Sequence, residues 1–302
     1  MNPKPTSLAT GAFLRDSLKQ LGERLDAACK AVPEVEGVHQ VRVSARRLRS
    51  LLSLFRDYLP PGARQVRDRL RELADAFSAL RDLDVLFANF DEWHRELPGK
   101  DANALLPLLQ RLAERREQLL PEAQVALEAW RASPEFELLQ LLALPRAEWP
   151  AAAKVSIDSV APDLLEVAHG RFRKALERAR RRRTLEEYHR LRIAGKKLRY
   201  ALMALAGHYG EPAKPTLKAL AAIQEGFGDY LDASHAADVL SHLSAEPEFK
   251  PATRRACAKL VEICRERARA HLAEMPELLD ELDSRRWAEV LEALTGRKRR
   301  KR

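Results

Sequence analysis

Apolar residues recur along the chain at the three-to-four-residue interval of amphipathic helices, and no segment alternates with the period of two that marks a half-buried strand. In the first half this pattern predicts helices near 7–31, 36–59, 62–97 and 101–132. In the second it predicts them near 162–182, 185–208, 213–244 and 249–274, with one more near 277–295. Pro and Gly supply the breaks. Residues 133–161 hold Pro134, Pro145 and Pro150, with Pro162 just beyond, and read as a linker with short helices of its own. Four amphipathic helices with short connections form a bundle. The predicted fold is therefore all-α: a first four-helix bundle over 7–132, a linker over 133–161, a second bundle over 162–295 and a basic tail over 296–302.

The two halves resemble each other. The segment His39-Gln-Val-Arg-Val-Ser-Ala-Arg-Arg-Leu-Arg49 aligns with His189-Arg-Leu-Arg-Ile-Ala-Gly-Lys-Lys-Leu-Arg199, 150 residues later, with four of eleven positions identical and four more conservative. The same offset pairs Leu70 with Leu220, Phe77 with Phe227, and Asp82 with Asp232. It also pairs the turn Pro60-Pro61-Gly62 with Gly210-Glu211-Pro212. One unbroken register over this stretch argues for a duplicated bundle and a pseudo-two-fold relation between the copies. Gly195 stands where the first copy has Ala45, and a glycine inside a helix costs about 1 kcal/mol, which points to close packing or a local bend.

On a helical wheel of about 100° per residue, His39, Arg42, Arg46 and Arg49 fall within an arc of about 80°. Val41, Leu48, Leu52, Phe55 and Leu59 lie opposite and predict the buried face. His189, Arg192, Lys196 and Arg199 repeat the polar arc against Leu191, Leu198, Leu202 and Leu205. A solvated helix face ordinarily mixes acids with bases and gains from pairs one turn apart. Here positions 38–56 contain five arginines and no acid, and positions 171–199 contain 13 basic residues against three acidic ones. Like charges one turn apart repel, so each stripe needs a bound anion or a facing acid. A second basic stripe follows on the next helix, at Arg64, Arg67 and Arg71 in the first half and at Lys214 and Lys218 in the second.

Composition sharpens this picture in two respects. The formal charge is +9, but Arg297–Arg302 supply six of it, so the body is nearly balanced and an anion site must arise by local segregation of charge. Cys29, Cys257 and Cys264 are odd in number and lack metal-site spacing; they read as small apolar packing residues of a reducing compartment. The N-terminus has no apolar signal core and no stretch approaches a membrane span, so a soluble cytoplasmic protein is expected.

Arginine forks and lysine ammonium groups suit phosphate oxygens, and histidine adds a donor that charges near neutral pH. Crowded among cations, His39 and His189 should have lowered pKa values that a bound polyanion would raise. Two parallel arrays fit a long chain of repeating negative charge better than one phosphate. At these residues the sequence resembles the CHAD family, the conserved histidine α-helical domain. Its His-x-x-Arg mark occurs once per half, and Leu80-Arg81-Asp82-Leu83-Asp84 is similar to its second motif, with a weaker partner at Gly228-Asp229-Tyr230-Leu231-Asp232. The resemblance implies two four-helix bundles, inorganic polyphosphate held along a basic cleft, association with polyphosphate granules, and no catalysis. It places polyphosphate on His39, Arg42, Arg46, Arg47, Arg49, His189, Arg192, Lys196, Lys197 and Arg199. With the first helix near residue 7, no room is expected for the triphosphate-tunnel domain that precedes some members' bundles.

Two other readings stand beside this one. Nucleic-acid binding is permitted by the charge, and the tail from Gly296 onward could bind any polyanion weakly, but the stripes lack the interleaved aromatics of single-strand binders. A phosphohydrolase or phosphotransferase could use His39 or His189, with Asp82, Asp84, Asp229 and Asp232 as Mg²⁺ ligands. These acids read instead as helix-end caps or arginine partners, and no catalytic residue, cofactor or metal is expected.

Overall fold

A computed structural model describes residues 8–97, 99–145, 148–209 and 214–281; the side chains of 206–209, 214–216, 219, 222–223 and 280–281 are not among those described. The fold is all-α: among the described residues there is no strand, only an isolated bridge between Ala9 and Ser156. The first half contains α1 (Thr10–Lys30), α2 (Val35–Leu54), α3 (Ala63–Ala76), α4 (Ser78–Glu96), the short α5 (Lys100–Asn103) and α6 (Leu106–Arg131). After α7 (Pro134–Leu142) come α8 (Ile157–Arg182), α9 (Leu185–Tyr209), α10 (Lys214–Ser244) and α11 (Pro251–Glu281). Two short 3₁₀ turns, at Arg56–Tyr58 and Ala151–Lys154, complete the path. No helix among the described residues is long and apolar enough to cross a membrane.

Several boundaries differ from those the sequence predicts. The helix expected over 62–97 divides at Phe77, whose φ of −89° and ψ of 2° interrupt the spiral. Phe77 is fully buried at this break. Its counterpart Phe227 sits inside an unbroken α10. The helix expected over 36–59 ends at Leu54 and continues only as a 3₁₀ turn. The region read as a linker contains α7, whose N-cap Ser133 accepts a hydrogen bond from the Phe136 N–H. Pro162 does not begin a helix but lies inside α8, which starts at the Ser156 cap; Pro276 likewise lies inside α11, where a break was expected. Each proline removes one hydrogen bond, and burial of the flanking apolar face carries the helix through. Residues 277–281 of the expected ninth helix fall within α11, and its remainder, the basic tail and Gly210–Pro212 of the turn lie outside the described residues.

Gly62 opens α3 with φ of 91°, a conformation that favours glycine, and a Cβ there would meet the Leu138 side chain at 2.6 Å. Gly195 is different. A Cβ built on it comes no nearer than 3.5 Å to the Phe172 ring, an ordinary contact, so close packing does not require the glycine.

The apolar faces assemble into two clusters. The larger takes its residues from α1, α2 and α3, the later part of α6, α7, α8 and α9, with the start of α10 and the end of α11. The second lies among α4, α5, the early part of α6, the end of α10 and the first half of α11. Both clusters therefore draw on both halves of the sequence. Val41, Leu48, Leu52 and Phe55 of the α2 region, and Leu191, Leu198, Leu202 and Leu205 of α9, are all buried in the larger cluster, as the wheels predict. Helices α2 and α9 also pack directly on each other. Around the second cluster, ion pairs join the halves: Arg267 with Glu92 and Glu96, Lys259 with Asp101, and Arg111 and Arg115 with Glu246.

One ion pair holds the approach to α2. The Asp84 side chain has 0% exposure and accepts from Arg116 Nε at 2.7 Å. Arg116 also donates to the Pro33 carbonyl at 2.8 Å, just before α2 begins. Asp84 is thus an arginine partner in the middle of a helix and not a helix-end cap. Arg116→Met should cost about 3–5 kcal/mol in urea unfolding, because it strands a buried carboxylate. Asp84→Asn should cost less, about 2 kcal/mol, since Arg116 keeps some access to water. Gly195→Ala should raise stability by about 1 kcal/mol in the same assay, through helix propensity and a stiffer unfolded chain.

Candidate functional site

The burial that fixes α2 and α9 also fixes their opposite faces. His39, Arg42, Arg46 and Arg49 are half-buried along α2, and Arg192, Lys196 and Arg199 are half-buried along α9. His189 is exposed. Among the described residues none of these eight groups lies within 4.0 Å of a carboxylate. Arg42 Nη1 and Arg192 Nε are hidden from water with no hydrogen-bond partner among the described residues. A buried donor left unmade costs about 1–3 kcal/mol. The one direct partner on this face is Gln224, whose Oε1 accepts from Arg199 Nη1 at 2.7 Å.

The electrostatics show that the two motifs meet. Burial lowers the Lys196 pKa to about 8, with Arg192 and then Arg46 lowering it further against Asp232. Burial likewise lowers the Arg192 pKa, with Asp232 opposing and Arg46 adding to the depression. Arg46 belongs to the first half, so its charge reaches both cations of the second. It also acts on His39, Arg42 and Arg49, each of which has a pKa lowered chiefly by burial. Arg46 is thus the common neighbour of the two arrays. The His39 pKa is lowered as anticipated, first by burial and then by the nearby Arg81 guanidinium.

Carboxylates border the face without closing on it. Asp82 offsets the depression of Arg42, Asp75 that of Arg42 and Arg49, and Asp232 that of Arg192 and Lys196. Asp82 and Asp232 are the aspartates that the duplication aligns. Asp82 also faces His235 of the other half at 3.6 Å.

The second basic stripe is arranged differently. Arg64 and Arg67 pair with Asp68 at 3.8 and 2.8 Å, and Arg71 pairs with Asp75 at 3.4 Å, all on α3 itself. Such pairs are solvent-exposed and contribute little, so they can open to another anion. Arg67 and Arg71 still border the first stripe, because both depress Arg49. Lys218 is exposed, and the Lys214 side chain lies outside those described. Arg47 stands apart from the stripe and lines a cleft with Arg24 and Tyr200, while its counterpart Lys197 is exposed.

Sequence reasoning left three contributors out of the site. Arg81 was visible within Leu80-Arg81-Asp82-Leu83-Asp84, but its reach to His39 depends on how α4 meets α2. Gln224 and Arg24 carry no motif signal at all. The three cysteines are buried and free; burial pushes the Cys29 thiol up to about 12 and the Cys257 and Cys264 thiols up to about 11, which suits packing residues.

Comparison with known proteins agrees with this architecture. The crystal structure of the CHAD domain from the plant Ricinus communis matches with a TM-score of 0.68 and 27% identity, covering 97% of this chain and 93% of that one. PptA from Streptomyces chartreusis matches in fold, with a TM-score of 0.65 and 20% identity over 90% of this chain and 100% of that one. Uncharacterized proteins of Mycobacterium tuberculosis, from strains H37Rv and CDC 1551, are each 32% identical over 216 residues, or 65% of this chain. The match spans 38% of the length of those relatives. The family model for the CHAD domain covers residues 12–241, and the chain belongs to that family.

Proposed function

We propose that the chain binds inorganic polyphosphate along the face shared by α2 and α9, as a non-catalytic protein of the cytoplasm associated with polyphosphate granules. The observation that carries this reading is the crowding of half-buried cations from both motifs around Arg46 without an ion-pairing acid. A chain of phosphates supplies what those groups lack: closely spaced oxygens for the guanidinium forks of Arg42, Arg46 and Arg192, and charge to offset their mutual repulsion. His39, Arg49, Lys196 and Arg199 extend the contact along both helices, and His189 adds a donor from the exposed end. Arg64, Arg67 and Arg71 widen the approach once their exposed pairs with Asp68 and Asp75 open. Binding releases counterions and is therefore steeply salt-dependent.

A binding role also fits the carboxylates. A phosphoryl-transfer reading needs acids free to hold Mg²⁺. Asp84 is committed to Arg116, and Asp82 offsets Arg42 and faces His235. Incubation with polyphosphate and Mg²⁺ is expected to release no phosphate; release lost in His39→Ala would overturn the non-catalytic reading.

The direct test is a titration with polyphosphate of defined length. Arg42→Glu with Arg192→Glu should weaken binding at least about a hundredfold, because each charge-assisted contact is worth about 1.5–3 kcal/mol. Arg299→Glu with Arg302→Glu in the tail should cost less than about fivefold at the same salt concentration, screened and unstructured charge contributing little. Equal losses would remove the motif face from the site. Competing RNA should be displaced by polyphosphate from a chain ending at Gly296; the reverse order would favour nucleic acid.

The pH dependence has a definite sign. In the free protein the Lys196 pKa lies at about 8, beside Arg192, Arg199, Arg46 and Asp232. A bound polyanion raises it, so affinity should fall as pH climbs through 8 toward 10, by up to about tenfold. His39, lowered when free and raised when bound, should add affinity as pH falls from about 7 to 6. A flat profile in calorimetric titrations from pH 6 to 10 would remove both groups from the contact set.

A further inference from the structure

A second candidate site lies beside the cationic face. A cleft of about 180 Å³ opens between α1, α2 and α9. Arg24 of α1 and Arg47 of α2 stand in its wall, and no carboxylate lines it. Neither arginine makes an ion pair among the described residues, and Arg47 Nε is hidden from water with no hydrogen-bond partner there. Arg47 projects about 100° round α2 from Arg46, so it cannot share the stripe of Arg42, Arg46 and Arg49. Leu21, Leu51, Met203 and Ala204 supply its apolar surface, Ser17 and Gln20 add polar groups, and the Tyr200 ring stands on the α9 side.

This combination selects a ligand. Arg47, half-buried with an unmet Nε donor, and the exposed Arg24 in the same wall suit an anionic head. Leucine and methionine side chains beside an aromatic ring require an apolar body. A cavity of about 150 Å³ holds one benzene ring, so this cleft takes one ring together with its substituent. A hydrated phosphate chain matches the arginines but leaves the apolar wall uncompensated.

We propose that the cleft between α1, α2 and α9 binds a small organic anion: one ring, or an aliphatic body of that size, bearing one phosphate or carboxylate. The head lies between Arg24 and Arg47, and the body rests on Leu21, Leu51 and Met203 against Tyr200. The site shares Arg47 with the set that the family resemblance implies for polyphosphate, and uses none of Arg42, Arg46, Arg49, Arg192 and Lys196.

Phenyl phosphate and benzoate are the probes, titrated into the full chain by calorimetry, with inorganic phosphate and benzyl alcohol as the head-only and body-only controls. Phenyl phosphate is expected to bind at least tenfold more tightly than either control, with benzoate behaving likewise if the head may be a carboxylate and not otherwise. Arg47→Met should weaken phenyl phosphate tenfold or more. Ala204→Phe, which fills the cleft, should abolish it while leaving polyphosphate affinity unchanged. Arg42→Glu with Arg192→Glu should keep phenyl phosphate within threefold of the parent chain. Phenyl phosphate no tighter than inorganic phosphate, insensitivity to both Arg47→Met and Ala204→Phe, or loss in the Arg42 and Arg192 variant would each overturn the proposal. Failure of polyphosphate binding with phenyl phosphate retained would count against the other site alone.

Discussion

Everything in this structure depends on holding like charges together against their repulsion. Arg42, Arg46, Arg192 and Lys196 are partly removed from water, near one another, and free of contacting acids among the described residues. Nothing in their own interactions favours that arrangement. The leucines and valines on the far sides of α2 and α9 impose it, because burying them in one core leaves the polar faces nowhere else to point. The hydrophobic effect acts here as the clamp that holds an unfavourable electrostatic arrangement, one that a bound anion would relieve.

That division of labour explains what could be read from the chain. The amphipathic wheels located α2 and α9 and their cationic stripes, because helical periodicity follows directly from which side is buried. The duplicated motif located the second array from the first. The meeting of the arrays could not be read, since it depends on α2 packing against α9 across the halves, a contact no local pattern encodes. Prolines misled for a related reason. Pro162 and Pro276 are breakers by local propensity, yet tertiary burial carries α8 and α11 through them, while the helix breaks at Phe77 with no local signal.

The two motif segments also differ in their surroundings. His39 is half-buried beside Arg81, whereas His189 is exposed and the residue aligned with Arg81 is Leu231. Arg199 is held by Gln224, and the residue aligned with Gln224 is Ala74, so Arg49 has no such hydrogen bond. The first array therefore gains a further cation in Arg81, and the second a hydrogen bond to Gln224. A symmetric ligand would meet two different surfaces, and its orientation along the face is not arbitrary.

The shared clusters have a consequence for how the protein is made. Residues near 14 and near 279 belong to one core, and residues near 83 and near 264 to the other. As the chain leaves the ribosome, neither core can close until almost all of it has been synthesised. Until then the faces of the amino-terminal helices that pack on α8, α9 and α11 lie open.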